Sequence, residues 1–144
     1  MRGVTWRVSL IMPNSLALSF VSYNMHGFNQ GQNLLSSFCN EPDANIDFIL
    51  LQETWLTPTN LVKLANFDDN YTFIGVSAME QAVSQSILTG RPWGGVGLLM
   101  KSNLLSDITF QKCSERLVAV VYCNFLIINT YLPKINNDID LTIV

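Results

Sequence analysis

Asn24, His26, Glu53, Asn129 and Tyr131 each sit in or just past the end of an apolar run rich in strand formers. Their types suit phosphate and metal chemistry. Glu53 follows Phe48-Ile49-Leu50-Leu51-Gln52. A carboxylate carried there rides on a rigid element, at the strand end where open sheets bind ligands. A hard cation such as Mg²⁺ prefers oxygen and often takes only one or two protein carboxylates, the rest being water and substrate phosphate. Glu53 with the carboxamide of Asn24 is such a donor set. The Tyr131 hydroxyl can donate a hydrogen bond to a phosphate oxygen. Each residue also has a plainer account. Glu53 fits a solvated strand end, Asn24 before Gly27 a turn residue, His26 a hydrogen-bonded structural histidine, and Tyr131 a half-buried strand aromatic.

These residues must be positioned by the elements around them. Leu18–Tyr23 reads as a strand, stopped by Asn24-Met25-His26-Gly27. Leu34, Leu35 and Phe38 have helical spacing, which predicts a short amphipathic helix over about 31–40. Ile46–Leu51 is a near-continuous apolar run, the pattern of a strand buried on both faces. Thr57-Pro58 supplies an N-cap and a first-turn proline for a short helix through Leu61, Val62, Leu64 and Ala65. Tyr71–Val76, Val96–Met100, Ile108–Lys112, Leu117–Tyr122 and Phe125–Tyr131 read as strands, with Cys123-Asn124 as a two-residue hairpin turn. Residues 78–94 are ambiguous, and Asn137-Asp138 reads as a helix start. Gly94-Gly95-Val96-Gly97 lacks the Lys-Ser/Thr of a phosphate loop and reads as a tight bend into a strand. The order predicts a mixed α/β sheet protein, with 1–16 as a leader without pattern.

Composition sets outer limits. The chain has 144 residues, 49% hydrophobic and 13% charged, and a mean hydropathy of +0.26. Those values exclude intrinsic disorder. A net charge of −3 and a pI near 4.9 exclude a constitutive, non-specific nucleic-acid binder, though not an enzyme that meets phosphate through a cation. So few charges also suit a chain with apolar surface meant for a partner or for further chain. Cys39, Cys113 and Cys123 form neither a disulfide framework nor a zinc cluster, which predicts reduced thiols of the cytosol or nucleus. Pro13-Asn14 cuts short the apolar run after Arg7, against a signal peptide. No apolar stretch reaches the roughly 18 residues of a membrane span.

Four segments in order sharpen these expectations. Ser22-Tyr23-Asn24-Met25-His26-Gly27-Phe28, Leu51-Gln52-Glu53-Thr54-Trp55-Leu56, Gly95-Val96-Gly97-Leu98-Leu99-Met100 and Asn129-Thr130-Tyr131-Leu132-Pro133 resemble motifs of the endonuclease/exonuclease/phosphatase superfamily. Within it, the chain looks like the apurinic-like endonuclease domain of non-LTR retrotransposons, which precedes a reverse transcriptase. The resemblance implies two packed mixed β-sheets with outer helices, a DNase-like sandwich. It implies phosphodiester hydrolysis of DNA with Mg²⁺, or Mn²⁺. Glu53 and Asn24 would hold the metal, Asn24 and Tyr131 would be catalytic, and Asn129 and Tyr131 would bind phosphate. His26 stands where many members have Asp or Asn, an auxiliary catalytic position. The family's later "GDFN"-like and "SDH"-like segments are not in these residues, so 17–144 reads as the N-terminal part of such a domain, with its second half incomplete. A fragment of that kind would be inactive alone. The alternatives are a non-catalytic remnant or binding piece of the same fold, or a phosphoinositide or sphingomyelin phosphodiesterase. The expected partner is DNA, with no membrane.

Overall fold

A computed structural model describes residues 5–11, 17–42, 45–87 and 90–132. The Pro133 strand stop and the Asn137-Asp138 helix start lie outside the described residues. Two sheets carry the fold. The first has five strands in the order β1-β2-β3-β5-β4: β1 (Thr5–Ile11), β2 (Ala17–Asn24), β3 (Phe48–Gln52), β5 (Val96–Lys101) and β4 (Tyr71–Val76). The second has three: β6 (Ile108–Ser114), β7 (Leu117–Tyr122) and β8 (Phe125–Thr130). Among the described residues only β2 and β3 pair in parallel; every other neighbouring pair is antiparallel. The expected mixed α/β architecture with two sheets is what forms.

Two cores explain why β3 and β5 are apolar almost throughout. Their side chains alternate between faces, and both faces are covered. Phe48, Leu98 and Met100 point at the second sheet, where they meet Val118, Val120 and Tyr122. Ile49, Leu51 and Leu99 point the other way, onto Leu35 of α1 (Phe28–Asn40) and Leu64 of α2 (Val62–Ala65). Phe48 stacks on Phe20 and meets the Tyr122 ring edge-on. Those aromatic pairs bridge β2, β3 and β7.

The predicted elements hold, with three shifts. The first helix begins at Phe28, three residues before the expected 31, because Gly27 at φ +94° turns the chain straight from the β2 stop into it. Pro58 opens a 3₁₀ turn (Pro58–Asn60) ahead of α2, and the Thr57 hydroxyl accepts from the Asn60 side chain instead of capping a backbone N–H. The ambiguous 78–94 stretch contains a short helix, α3 (Glu80–Ser84).

The reading of 1–16 as an unpatterned leader fails over Thr5–Ile11, which is a strand paired with β2 along its length, from Thr5 opposite Tyr23 to Ile11 opposite Ala17. Trp6, Val8 and Leu10 alternate with Arg7 and Ser9, the period of a strand. The hairpin turn was placed correctly: Tyr122 faces Phe125, and Cys123 takes the left-handed φ of +51° that such a turn needs.

Candidate functional site

Three strands deliver the singled-out residues to one end of the molecule. Asn24 ends β2 and lies opposite Gln52 at the end of β3. The pairing then continues past both strands. The Met25 N–H donates to the Gln52 carbonyl at 2.9 Å, Gly27 to Glu53 at 2.8 Å, and Phe28 to Thr54 at 2.8 Å. On the opposite side Trp55 N–H reaches the Gly94 carbonyl at 2.9 Å. Glu53 is therefore held between two loops by main-chain bonds. Gly95 fits this role as a bend into β5: its φ is +86°, and a Cβ there would lie 2.5 Å from the Thr54 hydroxyl.

The backbone is strained where the polar groups meet. His26 (φ +48°), Glu53 (+51°) and Trp55 (+53°) all occupy the left-handed region. Non-glycine residues there cost on the order of 1–3 kcal/mol each, and persist only where their surroundings over-determine them. Here the surroundings are the cross-loop hydrogen bonds just described.

His26 Nδ1 lies 2.9 Å from Glu53 Oε2, with both side chains partly shielded from solvent. Tyr131 approaches Glu53 from the second sheet. Burial raises the Tyr131 hydroxyl above its ordinary pKa, and a hydrogen bond to Glu53 and that carboxylate's charge add to the rise. The Arg116 guanidinium pulls the other way. The Tyr131 hydroxyl is thus a neutral donor at physiological pH. Asn24 joins indirectly, its Oδ1 accepting the His26 N–H at 3.1 Å. That is an Asx turn, so the turn role of Asn24 is real. The residue also lines a cavity of about 510 Å³ with Gln52, Ile128 and Tyr131. A slightly larger cavity at the far end, lined by Phe38, Asn45 and Lys101, holds none of these residues.

Asn129 lines the same cavity as Asn24 and Tyr131 and is tied to the main chain. It is 4% exposed. Its amide donates to the carbonyls of Leu51 and Gly97, both at 2.8 Å, and its oxygen accepts from Gln52 Nε2 at 2.7 Å. With both protons committed to main chain, Asn129 clamps β8 against β3 and β5. Arg116 escaped notice in sequence, where nothing distinguishes it from any exposed arginine. The fold brings it beside Tyr131, whose N–H donates to the Arg116 carbonyl at 3.0 Å.

Among the described residues no group of three or more His, Cys, Asp or Glu could hold a metal ion. A cation here would rest on one carboxylate, Glu53, with oxygen from Asn24. That sparse, oxygen-rich set suits an ion that keeps several waters and meets substrate phosphate. Cys39, Cys113 and Cys123 are free thiols. Among the described residues no helix is long and apolar enough to cross a membrane.

A family model for the "Endonuclease/Exonuclease/phosphatase family" matches residues 21–134. Among solved structures, the chain is similar to an AP endonuclease from Archaeoglobus fulgidus, with 14% sequence identity and a TM-score of 0.57. The match covers 81% of this chain and 41% of that one, so the chain spans less than half the length of that structure. At such identity the likeness is one of fold. No curated protein matches.

Proposed function

Because the chain belongs to the endonuclease/exonuclease/phosphatase family, we propose that it carries part of a divalent-cation-dependent phosphodiesterase site acting on DNA. The observation that carries this reading is the pairing of His26 with Glu53 at the shared end of β2 and β3, with Tyr131 at the end of β8 near enough for the Glu53 charge to raise its hydroxyl. Glu53 and Asn24 would hold the cation, which when bound offsets charge developing on the phosphate. The Tyr131 hydroxyl, kept protonated by burial and by Glu53, donates to a phosphate oxygen. Arg116 beside it supplies positive charge. Clamped from both sides, the Glu53 backbone keeps the carboxylate in place while substrate enters.

The finer reading is an apurinic-like endonuclease domain of a non-LTR retrotransposon, upstream of a reverse transcriptase. It is supported by the order and wording of the four motifs from Ser22 to Pro133. The test compares supercoiled plasmid nicking by this chain and by the longer product read through the coding sequence downstream. The longer product should nick with Mg²⁺, this chain alone should not, and Glu53→Gln should reduce nicking at least about a hundredfold. Nicking that survives Glu53→Gln removes Glu53 from the site. A product that cleaves a phosphoinositide or sphingomyelin and leaves plasmid intact replaces the substrate. Absence of hydrolysis from both samples favours a binding piece.

A further inference from the structure

Another cavity, of about 420 Å³, lies where the loops after β2 and β3 meet the start of α1, with Gly27, Phe28 and Trp55 in its wall. Its charged lining is Lys63 and Arg91, and no acid joins them. The cavity at Lys101 also holds Glu41 and Asp69, and the one at Arg116 also holds Glu115. Among the described residues neither Lys63 nor Arg91 has an acidic partner. Lys63 Nζ instead stands 6.0 Å from the Phe28 ring centroid, within cation–π reach. On a chain of net charge −3 this is a local concentration of positive field, suited to an anion.

Trp55 is the second observation. A bulky residue at a left-handed φ is an outlier, yet Trp55 sits at +53°, pinned by its N–H on the Gly94 carbonyl at 2.9 Å. Core packing does not offset that cost. Trp55 is half-buried and belongs to neither hydrophobic core. Its indole lies over Gly27, where a Cβ would come within 2.5 Å of Cε3. Strain of this kind clusters at ligand-binding surfaces. An indole flanked by cations is the composition that binds single-stranded nucleic acid, because bases stack on the ring and phosphates meet the charge.

We infer that this cavity holds an unpaired nucleotide of the DNA strand, its base stacked on Trp55 and its phosphates on Lys63 and Arg91. The inference rests on the proposed phosphodiesterase reading for the identity of the strand. It narrows the substrate to DNA with an unpaired nucleotide near the cleaved bond, since Trp55 follows Glu53 by two residues. A base stacked within a duplex presents only its edges in the grooves and has no face to offer the indole. The cavity volume falls in the range of small-ligand sites.

Binding of a short labelled oligothymidylate to the full chain is followed by fluorescence anisotropy at low salt, in EDTA so that the cation site takes no part. An abasic oligomer of equal length and charge is the second probe, and a duplex the third. The oligothymidylate should bind at least about fivefold more tightly than the abasic oligomer. Trp55→Leu should erase that preference and leave duplex binding unchanged, with circular dichroism checking its fold. Lys63→Gln and Arg91→Gln replace exposed side chains. Each should lower the slope of log affinity against log salt by about 0.7. Lys112→Gln, exposed on β6, should leave the slope as it is. No binding, equal affinity for the two oligomers, or slopes indifferent to Lys63 and Arg91 overturns the subsite. Duplex binding as sensitive to Trp55→Leu as single-strand binding overturns it too. All of these leave the phosphodiesterase reading standing, because plasmid nicking tests that separately. A longer product that fails to nick, with oligomer binding as expected, overturns that reading and keeps the nucleotide subsite. The lysine and arginine variants decide the inference even if Trp55→Leu does not fold.

Discussion

The Cys39 thiol lies on α1 among Phe38, Tyr71 and Asp68. Burial, reinforced by the Asp68 charge, pushes it up to about 12 from an ordinary 9.0. The folded chain therefore binds a proton more tightly than the unfolded one. Stability from this group is fully present below pH 9 and is lost as pH rises toward about 12. The stability gap between wild type and Cys39→Ala should narrow over that window in urea titrations. At pH 8.5 iodoacetamide should modify exposed Cys123 at least about tenfold faster than Cys39, since the thiolate is the nucleophile. Equal labelling would show that α1 does not shield the thiol.

The residue scale is where the sequence was most and least informative. The place of Glu53 just past a buried strand was legible because the apolar run Phe48–Leu51 stops there, and the neighbouring Gln-Glu-Thr wording marked it. Asn24 was legible as two things at once, and the structure keeps both, an Asx turn and a place on the cavity wall. The clamp made by Asn129 was not legible, because a carboxamide near Tyr131 looks the same in sequence whether it faces ligand or main chain. Burial alone separates those cases, and burial depends on a second sheet whose docking no local pattern encodes. The pairing of His26 with Glu53 joins residues 26 and 53 across two strand ends, and no periodicity reports it.

At the scale of elements, Asn129 is the clasp between the two layers. One side chain on β8 bonds the carbonyls of β3 and β5 and the Gln52 amide. Asn129→Ala would leave the Leu51 and Gly97 carbonyls without its amide inside the sandwich, while Gln52 keeps Ser22 Oγ and the Leu50 carbonyl. Unsatisfied buried groups cost on the order of 1–3 kcal/mol each, with relaxation recovering part. The variant should lose about 2–4 kcal/mol by urea unfolding. Asn129→Asp should lose a comparable amount, because a carboxylate cannot donate to either carbonyl. A loss below about 1 kcal/mol would mean the layers are held by apolar contact alone. Strand placement was legible because short runs of apolar strand formers such as Phe48–Leu51 and Val96–Met100 are bounded by turn residues. The exception, β1, was missed because Trp6, Val8 and Leu10 were weighed as part of an apolar leader segment instead of by their alternation. Its exposed positions show why: nothing described covers it, so burial gives it no stronger signature.

Across the whole molecule, stability is unevenly distributed, and the same burial that explains the low charge predicts where. Strands β3 and β5 have a hydrogen-bonded neighbour on each side and a core on each face. Phe48, Ile49, Leu51, Leu99 and Met100 are completely buried. β1 is an edge strand with Trp6 68% and Ile11 80% exposed. β6 is the edge of the small sheet, with Phe110 53% exposed. Amides that need global unfolding exchange slowly, whereas edges with few apolar contacts open locally. Hydrogen exchange should therefore find β3 and β5 the most protected, with β1 and β6 at least about a hundredfold faster. Glu53 follows directly on the slow core, at the end of β3, while Tyr131 follows β8, which among the described residues has a neighbour on one side only. The two partners of the site should then differ in protection, Thr54 and Trp55 exchanging more slowly than Thr130 and Tyr131. Protection of β1 equal to that of β3 would overturn this division. It would mean that the apolar faces of Trp6, Val8 and Leu10 are covered in solution.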